Sequence, residues 1–174
     1  DNGRVLGYLQ PISKSSIYDK EHIRLLASWR SENQKFFPTQ FKVTNEGTKL
    51  WLLNLLEQSK DGLLFFVCDN DDIKLGHVGL YRFNFHRKFC ELDNIIRGEK
   101  NISKGIMTHA CKTLIDFAYK EFSLDKMYLQ VTSDNIPALK LYKHLGFKEI
   151  QKTPLTKQIL QSNVNWLNTS PNTY

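Results

Sequence analysis

The chain has 174 residues, of which 41% are hydrophobic and 24% charged, values typical of one globular domain with a sizeable core. Its formal net charge of +6 comes from lysines and arginines spread along the chain, so it indicates a small anionic ligand at least as well as nucleic acid. No apolar run reaches the length of a membrane span and no signal peptide is visible, so we expect no membrane span.

The first half of the chain predicts one strand, two helices and three further strands. The first strand is expected from Arg4 to Gln10. Apolar residues at helical spacing predict a helix from Tyr18 to Asn33 and another from Thr44 or Asn45 to near Asp61. Turn residues then separate three apolar segments, which predicts three strands in succession. These strands are expected at Leu63–Cys68, Lys74–Phe85 and Phe89–Arg97.

The second half predicts a long amphipathic helix from Lys104 to Phe122 and a strand from Met127 to Val131. A short helix and a strand from Phe147 follow, which gives the order β-α-α-β-β-β-α-β-α-β. Beyond Lys152 the pattern weakens, with a last strand expected near Gln158–Leu160. We therefore predict a single domain over residues 1–161 and a loosely ordered tail over 162–174.

The short helix carries the most informative motif of the chain, N-x-x-A-x-x-x-Y-x-x-x-G-F, which runs from Asn135 to Phe147. Ala138, Tyr142 and Leu145 fall on one helical face, and Asn135 is a plausible N-cap. This strand–helix–strand unit resembles the last core unit of the GCN5-related N-acetyltransferase (GNAT) superfamily, in which the tyrosine lies beside the acetyl-CoA sulfur. The alternative is an amphipathic helix with a packed tyrosine.

The resemblance covers residues 4–152 and has its clearest motifs from Glu91 onward. It implies an α/β (α+β) fold with a central mixed, mostly antiparallel sheet and helices on both faces. It also implies a splayed strand pair that holds acetyl-CoA, the expected co-substrate. By this resemblance Ile95, Ile96 and Arg97 contact acetyl-CoA mainly through their backbone, as an added strand would. Asn135 and Tyr142 are expected to contact it from the motif helix.

A phosphate-binding loop is expected at the start of the long helix. Gly105 lets the backbone approach a ligand, and the N–H groups of a helix start favour an anion such as a pyrophosphate. The segment is similar to the GNAT loop, but Ile102 stands where Gln or Arg is usual and Met107 where Gly or Ala is usual. The residues expected at the pyrophosphate are Ser103, Lys104, Gly105, Ile106, Met107 and Thr108.

Acetyl transfer to an amine needs a base for the amine and an acid for the leaving thiolate. Tyr142 is the candidate acid, since a phenol is protonated at neutral pH. Glu91 and Asp93 share one strand face and are the candidate bases; a surface carboxylate, or one paired with Arg82 or Arg87, is the alternative. Gln130 stands where a branch that acetylates protein N-termini carries a glutamate, which weakens that interpretation.

The acceptor is the least specified part of the sequence. Trp29 and Arg30 resemble an element of amino-sugar N-acetyltransferases, which implies a small-molecule amine such as a nucleotide-linked amino sugar. The alternative for both is a core tryptophan and a helix C-terminal arginine. Two other functions stay open: a ribosomal-protein or other protein acetyltransferase, and a non-catalytic module that binds CoA or a partner.

Partners and location follow from smaller signals. No two of the five histidines stand at metal-ligand spacing and the three cysteines lie far apart, so no metal site is expected. Unpaired cysteines favour free thiols in a reducing cytoplasm. We expect a monomer or homodimer and no nucleic-acid partner.

Overall fold

The computed structural model describes residues 5–59, 62–100 and 103–168. The α-helices are α1 (Lys20–Glu32), α2 (Asn45–Leu53), α3 (Ile106–Phe122) and α4 (Ile136–His144). The strands are β1 (Tyr8–Pro11), β2 (Thr39–Phe41), β3 (Gly62–Cys68), β4 (Lys74–Asn84), β5 (Phe89–Arg97), β6 (Lys126–Tyr128), β7 (Leu155–Ile159) and β8 (Asn163–Asn168).

Three of the helices begin at a side chain that caps them. Asp19, Thr44 and Asn135 each accept hydrogen bonds from backbone N–H groups two or three residues later, at 2.8–3.3 Å. These bonds satisfy donors that have no partner inside a helix. In α4, Pro137 adds a preset backbone angle in the first turn. The cap at Asn135 and the start of α2 at Asn45 agree with the sequence prediction.

The main sheet has five strands in the order β1-β3-β4-β5-β6. Every neighbouring pair is antiparallel except β5 and β6, which are parallel and joined through α3. One face of the sheet packs on α3, around Leu80, Cys111 and Leu114, and the other packs on α1 and α2, around Trp29, Leu52 and Phe66. The predicted mixed sheet with helices on both faces is confirmed.

The parallel pair separates soon after it forms. β5 and β6 are in register from Phe89 and Lys126 to Glu91 and Tyr128, and β5 then continues to Arg97 beside β4 alone. Within the described ranges, the backbone of β5 from Leu92 onward therefore has an unpaired edge. This opening is the predicted splayed strand pair.

The C-terminal part departs from the sequence prediction. Residues 147–154 form no strand, although one was expected from Phe147, and β6 ends at Tyr128 rather than Val131. Part of the expected loose tail is strand β8, which pairs with β7 and with the unpredicted strand β2. The pairing joins segments far apart in the chain, and the Trp166 N–H donates to the Pro38 carbonyl at 2.7 Å. Residues 169–174 lie outside the described ranges.

Three further features concern membrane spans, metal-binding clusters and cysteines. No helix in the described part of the chain is long and apolar enough to cross a bilayer. Among the same residues, no three His, Cys, Asp or Glu side chains gather in a way that holds a metal ion. Cys68, Cys90 and Cys111 are buried, and they are free as the sequence predicted.

Candidate active site

A bulge in β5 lies next to the point where this strand leaves β6. The pairing with β4 passes from Asp93 opposite Gly79 to Ile96 opposite His77, which leaves an extra residue in β5. Asn94 takes it up with a φ of 50°, a left-handed conformation that asparagine tolerates better than most residues.

The bulge reverses the faces of the residues that follow it. Ile95 packs toward the core under α3, whereas Ile96 is buried in the core under α1 and α2. Both side chains are therefore used for packing, and the backbone is what this edge offers to a ligand. That arrangement suits the amides of a pantetheine arm, which pair with a free strand edge.

The start of α3 has the features of an anion site. Gly105 precedes the helix with a φ of 90°, and no side chain caps the first N–H groups. Ile106 points into the core at 4% exposure, so it offers only its backbone. Ser103 and Lys104 are exposed beside it, and Met107 and Thr108 are half-buried. These residues fit a pyrophosphate, while Ile102 lies outside the described ranges.

Replacing Gly105 with alanine tests this placement. A Cβ at Gly105 would meet nothing closer than 3.8 Å, so the cost arises from the left-handed backbone, about 1–2 kcal/mol, and not from crowding. We expect CoA affinity to fall about tenfold by calorimetry, because the first turn of α3 shifts. Gly146→Ala is the matched control, since Gly146 has a φ of 91° and open space around it. Equal CoA affinity in both variants would contradict the placement.

Tyr142 lies half-buried on α4, with its ring 6.2 Å from that of Phe147 in an edge-on contact. Burial is the main cause that raises the pKa of its phenol above the ordinary value, and the charges of Cys111 and Asp93 add to the rise. The phenol therefore keeps its proton at neutral pH.

Glu91 and Asp93 meet at one arginine. An Arg82 guanidinium nitrogen lies 2.6 Å from a carboxylate oxygen of each residue. Glu91 pairs with Tyr81, which belongs to the core under α1 and α2. Glu91 and Asp93 therefore lie on that face of the sheet. The hydrogen bond to Glu91 is the main cause that raises the pKa of Arg82. The ion pair with Arg82, an alternative from the sequence, is present, and two carboxylates against one guanidinium leave the cluster one net negative charge.

Trp29 and Arg30, the residues expected at the acceptor, make packing contacts and hydrogen bonds within the fold instead. Trp29 is 2% exposed and packs on Phe66 and His77, so its ring faces no open pocket. Arg30 donates to the Thr39 carbonyl at 2.7 Å and lies 3.6 Å over the ring of Phe37. Burial lowers the pKa of Arg30 to about 10. Packing, rather than contact with a nucleotide, accounts for both side chains.

Two of the expected cofactor contacts also have local roles. The Arg97 side chain donates to the carbonyl of Glu99 at 3.1 Å and to that of Lys100, so it folds onto its own loop. The Asn135 oxygen caps α4. Sequence reasoning assigned His77 no role beyond that of a structural or solvated histidine, and this residue lies beside the bulge, opposite Ile96.

Comparison with known proteins agrees with this geometry. The acetyltransferase (GNAT) domain model matches residues 15–148, from before α1 to beyond α4. Spermidine N(1)-acetyltransferase of Escherichia coli (strain K12) is 28% identical over 139 residues, which cover 80% of this chain and 71% of that protein. An N-acetyltransferase 9-like protein of Caenorhabditis elegans is 28% identical over 141 residues, or 76% of this chain and 66% of that protein.

A solved spermidine N-acetyltransferase from Vibrio cholerae, in complex with CoA and spermine, superposes with a TM-score of 0.68. It is 20% identical, and the match covers 91% of this chain and 92% of that one. This likeness concerns the fold, whereas the family model spans well over half of the sequence. The chain therefore belongs to the GNAT acetyltransferase family, and it is an acetyl-CoA-dependent N-acetyltransferase.

Proposed function

We propose that the enzyme acetylates a primary amine of a small polycationic molecule, with a polyamine as the leading acceptor. The observation that carries this proposal is the opening between β5 and β6, with the net-negative cluster of Glu91, Asp93 and Arg82 on β4 and β5. The charge of Asp93 contributes to the raised pKa of Tyr142. A polycation is attracted to such a site, and two of the similar proteins are named for their action on spermidine.

In this mechanism bound acetyl-CoA supplies the thioester that the amine attacks. The free edge of β5 beyond the bulge orients the pantetheine arm, and the first turn of α3 binds the pyrophosphate. Glu91 or Asp93 attracts the ammonium group and accepts its proton, directly or through water, which leaves the free amine. As the C–N bond forms and the C–S bond breaks, the Tyr142 hydroxyl donates its proton to the departing sulfur. The proton that the acetylated nitrogen loses returns to the phenolate, directly or through water.

The other acceptors have less support from the residues. A nucleotide-linked amino sugar was favoured by Trp29 and Arg30, and both are occupied in packing. A protein N-terminus was already weakened by Gln130, which is exposed and cannot accept a proton. A ribosomal protein is the alternative that suits the same charge, since a basic peptide also carries several positive charges, and it is therefore included in the test.

Release of the CoA thiol over a panel of amines tests the proposal. The panel contains spermidine, spermine, putrescine, a nucleotide-linked amino sugar and a lysine-rich peptide. We expect the highest kcat/KM with spermidine or spermine, at least tenfold above the amino sugar. The highest value with the amino sugar or the peptide would overturn the polyamine proposal.

The charge of the cluster is tested on the same panel. Glu91→Gln should raise the KM for a polyamine and lower the rate at pH values below the amine pKa, where the base is needed. The Kd for CoA should barely change. Glu121→Gln, at the far end of α3, is the matched control for loss of one carboxylate. A wild-type rate of Glu91→Gln across that pH range would leave Asp93 or solvent as the proton acceptor.

A reducing compartment such as the cytoplasm is part of the proposal. The buried free thiols of Cys68, Cys90 and Cys111 support it, because cysteines stay reduced and unpaired in such a compartment. The expected monomer or homodimer stays a prediction.

A further inference from the structure

We propose that His77 is a positioning residue for acetyl-CoA, because its side chain fixes the bulge that presents the free edge of β5. The inference rests on the proposed placement of the pantetheine arm along this edge. His77 would act through the backbone of Asn94 and would not touch the reacting atoms.

His77 is a polar side chain enclosed in the core, at 2% exposure. Its Nδ1 lies 2.6 Å from the backbone carbonyl oxygen of Asn94. A carbonyl only accepts hydrogen bonds, so Nδ1 carries the hydrogen and donates it. A buried donor that loses its partner is costly, and the bond therefore ties β4 firmly to one residue of β5.

That residue is the one that bulges. Asn94 has a φ of 50°, and its carbonyl is turned toward His77. If the bulge relaxed to a regular strand, Ile95 and Ile96 would exchange faces, since alternate residues of a strand point to opposite sides. The main-chain groups on the free edge would change direction with them. The His77 bond thus selects the backbone arrangement that a ligand meets.

The C-terminal end of the same segment is held by Trp29, which lies 6.1 Å from the His77 ring between ring centroids. A Cβ on Gly98 would lie 2.1 Å from the Trp29 ring, so the indole packs directly against this backbone. The N–H groups of Gly98 and Glu99 both donate to the Leu75 carbonyl, at 2.9 and 3.0 Å. With this end held, the His77 bond is the contact that decides how the bulged residues before it are oriented.

Two substitutions at His77 separate positioning from packing. His77→Leu keeps an apolar volume and removes the donor, whereas His77→Asn places an amide N–H near the position of Nδ1. We expect His77→Leu to weaken CoA binding at least tenfold by calorimetry and to raise the KM for acetyl-CoA, with little change in the KM for the amine. His77→Asn should stay within about threefold of wild type. Leu64→Ala, in the same core but on β3, should lower the Tm and leave the Kd for CoA unchanged.

Hydrogen exchange of the Ile95 and Arg97 amides gives a second measurement. CoA should slow exchange of these amides in the wild type and less so in His77→Leu. Absence of protection in the wild type would overturn the placement of the pantetheine arm itself. Protection in the wild type with an unchanged Kd and KM in His77→Leu would overturn the role of His77 alone.

Substitutions at Asn94 keep the test decisive if His77→Leu does not fold. Asn94→Gly accepts the positive φ and should retain CoA affinity, whereas Asn94→Ala disfavours it and should lose at least fivefold. Equal affinity of the glycine and alanine variants would show that the bulge does not govern CoA binding, and the inference would fall.

Discussion

Replacing Tyr142 with phenylalanine is expected to lower kcat by about 10²- to 10⁴-fold, the usual contribution of a positioned general acid. The phenol keeps its proton because burial raises its pKa, so it is available to the departing sulfur at neutral pH. Phenylalanine retains the ring and its edge-on contact with Phe147, and it removes only the hydroxyl. The measurement is the steady-state rate of thiol release with saturating acetyl-CoA and amine.

Two controls separate chemistry from folding in this experiment. The Kd for CoA and the Tm of Tyr142→Phe should stay near wild type, because the start of α3 is untouched. Tyr119→Phe removes a phenol from the exposed side of α3 and should have wild-type kcat. A wild-type kcat for Tyr142→Phe would show that the thiolate leaves unaided or that another step limits turnover.

Acid is expected to destabilise the protein through His77 as the pH falls from 6.5 to 4. Burial lowers the pKa of His77 to about 4, against an ordinary 6.5, although the bond to Asn94 and the charge of Asp93 act in the opposite direction. Between pH 6.5 and 4 the unfolded chain therefore binds a proton that the folded chain refuses. The stabilisation is complete above pH 6.5, falls through this window and levels off below pH 4, with a total loss on the order of 3 kcal/mol.

Urea unfolding at a series of pH values from 4.5 to 7.5 measures this effect. His22 also has a pKa lowered by burial, so the wild-type slope contains both histidines. The asparagine of His77→Asn has no titratable group. Subtracting the pH profile of this variant from that of the wild type therefore isolates the contribution of His77 to the free energy of unfolding. Parallel profiles of the two proteins over this range would show that the buried ring accepts a proton without cost.

The parts of the site that could be predicted are those in which local sequence decides the structure. The Tyr142 motif combines a cap, a helical face and a terminating glycine within thirteen residues, and α4 follows it closely. β5 was predicted with its correct bounds, because alternating apolar residues and flanking turns define it. The apolar periodicity up to Phe122 predicted α3 with its correct end and with a start at Lys104, two residues before the observed start at Ile106.

What could not be predicted depends on contacts between distant segments. The bulge at Asn94 is visible only once His77 on β4 lies beside it. In a sequence, a tryptophan of a binding pocket cannot be told from one of the core. Trp29 is buried against Gly98, which is far away in the chain. β8 forms between β7 and the distant segment Thr39–Phe41, and neither β8 nor β2 has a strong strand pattern by itself.

The buried cysteines have a practical consequence for every assay above. Burial raises the pKa of Cys90 to about 11 and that of Cys111 to about 12, and the pKa of Cys68 is raised as well. Because the thiolate is the reactive form, an aromatic disulfide reagent finds almost no target in the native protein. Colour that develops at neutral pH then reports CoA released by turnover. If the protein unfolds during the assay, its three thiols also react, which adds a later rise of three equivalents per chain.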